Sequence, residues 1–94
     1  MIITQTAAAG TLESSDITVT VLPESDGVKI DLESSVYQQY GESILKTIRE
    51  VVESLGVTAV KIVAFDRGAL DCTIRARVET ALLRAAEKKD GTAE

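Results

Sequence analysis

The sequence predicts an α+β domain in which two helices cover one face of a small, mostly antiparallel sheet, in the order β-β-α-β-α. Two short stretches alternate apolar and polar residues, and a third stretch of similar length is rich in Val, Ile and Phe. Two longer stretches carry apolar residues at three- and four-residue steps, which is the helical period. Two helices on one face of the sheet would bury their apolar stripes against the apolar face of the strands.

The first two predicted strands flank a short turn. Their inward-facing residues are Ile17, Val19, Val21, Val28, Ile30 and Leu32. Residues 23–27 supply the turn, because proline restricts φ and glycine permits positive φ. We therefore expect residues 17–22 and 28–33 to pair as an antiparallel hairpin. Upstream, Ile2, Ile3 and Thr4 favour extended structure, so a short strand is also an interpretation of residues 1–6.

The first predicted helix follows the hairpin. Its apolar stripe consists of Val36, Tyr40, Ile44, Ile48, Val51, Val52 and Leu55. Ser34 or Ser35 is the expected N-cap, because a hydroxyl can accept a hydrogen bond from an unpaired amide at a helix start. Gly56 is the expected left-handed residue that ends the helix. The charged residues between the apolar positions are interpreted as its solvated face.

The third predicted strand spans residues 58–65, with Val60, Ile62 and Ala64 on one face. The last helix then carries the apolar stripe Leu70, Ile74, Val78, Ala81, Leu82 and Ala85 and runs to about Lys88. A cap at Asp66 and a cap at Asp71 are equally compatible with its start. We expect residues 1–88 to form a single domain, followed by a polar tail at 89–94.

Composition excludes several classes of function. The chain of 94 residues has 15 acidic and 10 basic residues, and its net charge of -5 opposes binding to nucleic acid or to an anionic membrane surface. No apolar run approaches the roughly 18 residues that a membrane span requires, and no secretory leader is evident. A cytoplasmic protein is therefore expected.

The chain has no His and a single cysteine, Cys72. An internal disulfide is excluded, and no soft-metal cluster is expected. We interpret Cys72 as a small buried apolar residue. No catalytic residue and no metal ligand are predicted.

The most distinctive segment is Ala9–Asp16, which combines Thr11, Ser14 and Ser15 with two carboxylates. Such residues favour an exposed turn. Ser14 has no His or nearby Lys to act as its base, so covalent attachment of a group is a more economical role for its hydroxyl than catalysis. A plain connecting loop is the alternative.

Two separated motifs add a resemblance to this picture. They are Gly10–Asp16 (GTLESSD) and Gly68–Arg77 (GALDCTIRAR), with Glu33–Val36 (ESSV) and Tyr40-Gly41 between them. Together they resemble the acyl carrier (gamma) subunit of citrate lyase over nearly the whole chain. This resemblance implies a carrier subunit of a lyase complex that performs no catalysis itself.

The resemblance also implies a cofactor and partners. The cofactor is 2'-(5''-triphosphoribosyl)-3'-dephospho-CoA, covalently attached to Ser14 through a phosphodiester as a phosphoribosyl-dephospho-CoA group; Ser15 is the less favoured position. The implied partners in a hetero-oligomer are the alpha (transferase) and beta (lyase) subunits of citrate lyase, which use acetyl and citryl thioesters of the group, and the prosthetic-group transferase that loads the carrier. The alternative function is a regulatory or docking module without a prosthetic group.

Two arginines lie within the motif Gly68–Arg77, one directly precedes it, and one follows it at position 84. Arg75 and Arg77 are two residues apart on the predicted helix, so they cannot face the same point. These two, together with Arg67 and Arg84, are interpreted as surface charges. The alternative is that some of them meet phosphates of an attached group or carboxylates of a partner.

Overall fold

The computed structural model describes residues 1–86. The elements within that range are β1 (Ala7–Gly10), β2 (Ile17–Leu22), β3 (Val28–Ser34), α1 (Tyr37–Ser54), β4 (Val60–Asp66) and α2 (Asp71–Ala86). The predicted polar tail at 89–94, and the predicted end of the last helix near Lys88, lie outside the described residues.

The strands form one sheet with the order β1-β2-β4-β3. β1 pairs antiparallel with β2, and β2 pairs antiparallel with β4. β3 pairs parallel with β4, so the sheet is mixed. The α+β class with two helices and a mostly antiparallel sheet is confirmed, because two of the three strand pairs are antiparallel.

The predicted hairpin between β2 and β3 is wrong, because β4 lies between these two strands. The connection at residues 23–27 can reach about 18 Å when extended, and two strand spacings are only about 9.6 Å. The backbone N–H of Val60 donates to the carbonyl of Gly27 at 3.0 Å, so the start of β4 lies against the end of that connection. α1 then serves as the crossover between the parallel strands β3 and β4.

The predicted strand at residues 1–6 is also wrong. The backbone N–H groups of Thr4 and Gln5 donate to the carbonyl of Ala85 at 2.9 and 3.1 Å, and the Gln5 side chain donates to the carbonyl of Arg84 at 2.8 Å. Carbonyls at a helix end have no partner within the helix, and this segment supplies partners for the end of α2. The first strand is instead Ala7–Gly10, because it pairs with β2.

α1 begins without the predicted cap. Val36 is its N-cap, and no side chain caps it. The Ser34 hydroxyl accepts a hydrogen bond from the Val36 N–H at 3.1 Å and donates to the carboxylate of Asp66 at 2.8 Å, so it links β3 to β4.

The predicted end of α1 is confirmed. Gly56 has φ of 70°, and its N–H donates to the carbonyl of Glu53 at 3.0 Å. The N–H of Val57 donates to the carbonyl of Val52 at 3.1 Å. This pair of hydrogen bonds is the Schellman arrangement that ends many helices.

Most of the predicted core is buried between the sheet and the helices. The buried apolar residues are Ile3, Ala9, Ile17, Val19, Val21, Ile44, Ile48, Val51, Val52, Val57, Val60, Ile62, Ala64, Ile74, Val78, Ala81, Leu82 and Ala85. The predicted core residues that are only partly buried, packed against this core, are Val28, Ile30, Leu32, Val36 and Leu55. Tyr40 and Leu70 are exposed exceptions, with 56% and 70% of their surfaces exposed. Both lie near the helix starts, where they line a cleft of about 350 Å³ between α1 and α2 and are not covered by the sheet.

Candidate functional site

The loop between β1 and β2 comprises residues 11–16, because Ala9 and Gly10 of the predicted loop belong to β1. Gly10 has φ of 96°, which L side chains rarely adopt. A Cβ at this position would overlap the carbonyl oxygen of Ile17 and lie 2.9 Å from its carbonyl carbon. The chain can therefore enter the loop along this path only with glycine at position 10.

Hydrogen bonds within the loop give it a defined shape. The Thr11 hydroxyl donates to the Asp16 carboxylate at 2.7 Å and accepts from the Glu13 N–H at 3.2 Å. The N–H of Asp16 donates to the carbonyl of Glu13 at 3.2 Å, which closes a turn around Ser14 and Ser15. Ser15 has φ of 64°, in the left-handed region.

Arg67, which follows β4, attaches this loop to the rest of the domain. Its N–H donates to the carbonyl of Asp16 at 2.9 Å, and its carbonyl accepts from the N–H of Ser15 at 2.7 Å. Its guanidinium Nη1 donates to the carbonyl of Leu12 at 3.0 Å. Three points of the loop are thus held by one residue.

Asp66 organises the segment that carries Arg67. It is 2% exposed, and its carboxylate accepts hydrogen bonds from the N–H groups of Gly68 and Ala69, both at 3.0 Å, as well as from Ser34. Asp66 therefore closes the turn before α2 and does not cap the helix, which begins at Asp71.

A second anchor joins the loop to α2. Arg77 donates from Nε and Nη2 to the two carboxylate oxygens of Asp16, at 3.1 and 2.8 Å. Bidentate pairs of this kind are stronger and more directional than single hydrogen bonds. The hydrogen bonds from Arg77, from the Thr11 hydroxyl and from the Ile17 N–H hold the pKa of Asp16 well below its ordinary value.

This ion pair makes the stability of the protein depend on pH. Because the pKa of Asp16 is lower in the folded state, the unfolded state binds more protons in acid, and the contribution of Asp16 to stability is lost progressively below about pH 4. We expect urea unfolding at about pH 7 and pH 3 to show a smaller loss of stability for Arg77→Gln than for the wild type. Arg84→Gln, a change outside this pair, should keep the wild-type loss. Equal losses in Arg77→Gln and the wild type would contradict the assignment.

Arg75 points away from the loop, as the helical spacing predicts. It donates to Asp71 at 2.9 Å and to Glu50 of α1 at 2.5 Å. Arg75 and Arg77 are thus both engaged by carboxylates of this chain. Arg84 donates to the carbonyl of Ala8 in β1 at 2.9 Å.

Ser14 is exposed and lies between the anchored residues Leu12 and Ser15. Within residues 1–86, no hydrogen bond engages its hydroxyl. The arrangement therefore presents the hydroxyls of Ser14 and Ser15 to solvent on a backbone that is held from both sides, by Arg67 and by Arg77.

Comparisons with known proteins agree with the sequence motifs. The family model described as "ACP: Malonate decarboxylase delta subunit (MdcD)" matches residues 4–85. The citrate lyase acyl carrier protein of Streptococcus uberis is 57% identical over 86 residues, which cover 92% of this chain and 85% of the relative. This chain belongs to the citrate lyase acyl carrier protein family. The family member from Haemophilus influenzae is 51% identical over 88 residues, covering 94% of this chain and 92% of the relative.

The fold of this carrier family member recurs in a solved structure. A chain in the crystal structure of a Pseudomonas malonate decarboxylase hetero-tetramer in complex with malonate superimposes with a TM-score of 0.76. It is 23% identical, and the match covers 89% of this chain and 87% of the other. The likeness confirms the small α+β fold.

The interpretation of Cys72 as buried is wrong for this carrier, because the thiol is exposed. α2 buries the stripe that begins with Ile74 and Val78, and Cys72 lies about 200° around the helix from Ile74. The described part of the chain contains no group of three or more acidic, His or Cys side chains that could hold a metal. Across the same range, no helix has the length and apolar character needed to cross a membrane.

The anchoring roles of Asp66 and Arg67 were not predicted from the sequence. The only local signal was the sequence Asp66-Arg67-Gly68, which predicts a turn. It does not predict the contact between Arg67 and Leu12, which are 55 residues apart. Gly10 was recognised as part of a turn, but its close approach to Ile17 was not.

Proposed function

We propose that this chain is the acyl carrier subunit of citrate lyase and that it carries a phosphoribosyl-dephospho-CoA group on Ser14. The observation that carries the proposal is the exposed Ser14 hydroxyl, which has no hydrogen-bond partner within residues 1–86, on an otherwise anchored loop. The Ser15 hydroxyl is exposed in the same way, and Ser14 is preferred because the family resemblance implies attachment at that position. Relatives named citrate lyase acyl carrier protein are 50–57% identical, compared with 23% for the chain of the malonate decarboxylase structure, so citrate lyase is favoured.

The residues around Ser14 fit a group joined through a phosphodiester. A modifying enzyme must reach the serine oxygen, and the exposure of Ser14 permits this. A carboxylate beside the new phosphate would repel it, but the charge of Asp16 is balanced by Arg77. The loop therefore offers a reachable oxygen with one of its neighbouring negative charges compensated.

Attachment would use the Ser14 oxygen as a nucleophile. Its Oγ forms a bond to the first phosphorus of the triphosphate precursor, while pyrophosphate leaves with the electrons of the broken P–O bond. The hydroxyl proton passes to a base of the prosthetic-group transferase, because this chain has no His and no group in residues 1–86 hydrogen-bonds the hydroxyl.

Once bound, the group would supply a thiol that holds an acyl group as a thioester. The chain itself tethers and positions the arm, and its role is not catalytic. Tethering raises the local concentration of the acyl group at the sites of the transferase and lyase subunits to about the millimolar range. The anchors at Arg67 and Arg77 keep the root of the arm in one place on the domain.

The test is the intact mass of the chain after co-production with its modifying enzymes, together with peptide mapping. We expect one added mass equal to the phosphoribosyl-dephospho-CoA group, located on the peptide that contains Ser14. An unmodified chain, produced with enzymes shown to load a known carrier, would overturn the proposal. A docking module without a prosthetic group would then be the better interpretation.

A further inference from the structure

Arg67 is bound to the Ser14 loop on both sides of Ser14. Its side chain donates to the carbonyl of Leu12, two residues before Ser14, at 3.0 Å. Its carbonyl accepts from the N–H of Ser15, the residue after Ser14, at 2.7 Å. The guanidinium is therefore held at Leu12, two residues before Ser14, while the backbone of Arg67 contacts the residue after it.

Within residues 1–86, no carboxylate balances the charge of Arg67, in contrast to the charges of Arg75 and Arg77. Arg75 and Arg77 each lie within 4.0 Å of a carboxylate oxygen. Arg67 has no such ion pair with residues 1–86, and the carbonyl of Leu12 is the acceptor of its side chain there. A guanidinium has five N–H groups, so most of the donors of Arg67 are available to a further acceptor.

We propose that Arg67 binds the phosphodiester that joins the prosthetic group to Ser14. This inference rests on the proposed function and adds a residue that positions the arm. A phosphodiester has two oxygens that share one negative charge, and the planar guanidinium fork matches two such oxygens at once. Of the two carboxylates in the loop, Asp16 is already engaged by Arg77, and Glu13 makes no ion pair with Arg67 within residues 1–86.

The contact would restrict the base of the arm. Without it, the arm would rotate freely about the bonds of the Ser14 side chain. With it, the phosphate is fixed to the same residue that holds Leu12, Ser15 and Asp16. The arm would then leave the domain in a preferred direction, set by the Asp66 turn that carries Arg67.

The experiment compares unloaded and loaded protein by nuclear magnetic resonance. The intact mass first establishes loading of Ser14. We expect the side-chain Nε–H signal of Arg67 to shift on loading, while that of Arg84 stays in place, because Arg84 donates to the carbonyl of Ala8 in β1. The phosphorus signal of the phosphodiester should shift in Arg67→Gln and remain unchanged in the matched control Arg84→Gln.

The outcomes separate the two proposals. An unchanged Arg67 signal in protein whose mass shows complete loading would overturn this inference and leave the proposed function standing. A wild-type chain that cannot be loaded would overturn both. If Arg67→Gln does not fold or cannot be loaded, the comparison of unloaded and loaded wild-type protein decides alone. Arg67→Lys, which keeps the charge and loses the fork, is expected to give an intermediate phosphorus shift.

Discussion

Replacement of Ser14 with alanine is expected to abolish citrate cleavage by the assembled enzyme while leaving the carrier folded. The proposed attachment requires the serine oxygen, so the variant would present no thioester to the transferase and lyase subunits. The hydroxyl makes no hydrogen bond within residues 1–86, and its loss should change the free energy of unfolding by less than about 0.5 kcal/mol. Oxaloacetate formation by the reconstituted complex and urea unfolding measure the two effects.

The matched control is Ser15→Ala. Ser15 is also exposed and lies in the same turn, but its contact with Arg67 is made by its backbone N–H, which alanine retains. This variant is expected to be loaded and to support citrate cleavage. Cleavage at the wild-type rate by Ser14→Ala, or a complete loss of loading in Ser15→Ala, would move the attachment site away from Ser14.

Gly10→Ala is expected to cause the largest loss of stability. At φ of 96° any L side chain is strained, and the added Cβ would overlap the carbonyl oxygen of Ile17 in the neighbouring strand. Strain of this kind costs about 1–3 kcal/mol, and relieving the overlap requires β1 and β2 to separate where Gly10 pairs with Thr18. We expect a total loss on the order of 3–5 kcal/mol, measured by urea unfolding.

Gly27→Ala separates backbone strain from the overlap with Ile17 as causes of the stability loss expected for Gly10→Ala. Gly27 has φ of 79°, and a Cβ there would meet nothing within 4 Å. Its replacement should cost only the strain of about 1–3 kcal/mol. If both variants lose the same stability, the overlap with Ile17 has no energetic effect, and the close approach of Gly10 to β2 would not be what requires glycine.

Local sequence patterns predicted which face of each main element is buried. Alternation assigned Ile17, Val19 and Val21 to the core, and helical spacing did the same for Ile48 and Val78. The strand β1 was missed because Ala and Gly have little intrinsic preference for strands, and pairing with β2 is what makes Ala7–Gly10 extended.

At the candidate site, too, the sequence predicted the local features but not the long-range contacts. Ser14 was selected from a resemblance in two motifs, and its accessibility followed from the turn-forming residues around it. The contacts that position it come from distant parts of the chain. Arg67 is 55 residues from Leu12, and Arg77 is 61 residues from Asp16.

The sequence by itself determined the types of the five elements from β2 to α2, most of their buried faces and the family of this protein, because these depend on residue periodicity and on motifs that can be read locally. Only the tertiary structure decided that β4 lies between β2 and β3, that Asp66 and Arg67 hold the Ser14 loop, and that Cys72 is exposed. Periodicity states which side of a strand is apolar, but not which strand pairs with it. Strand order and long-range hydrogen bonds depend on how the whole chain packs around one core.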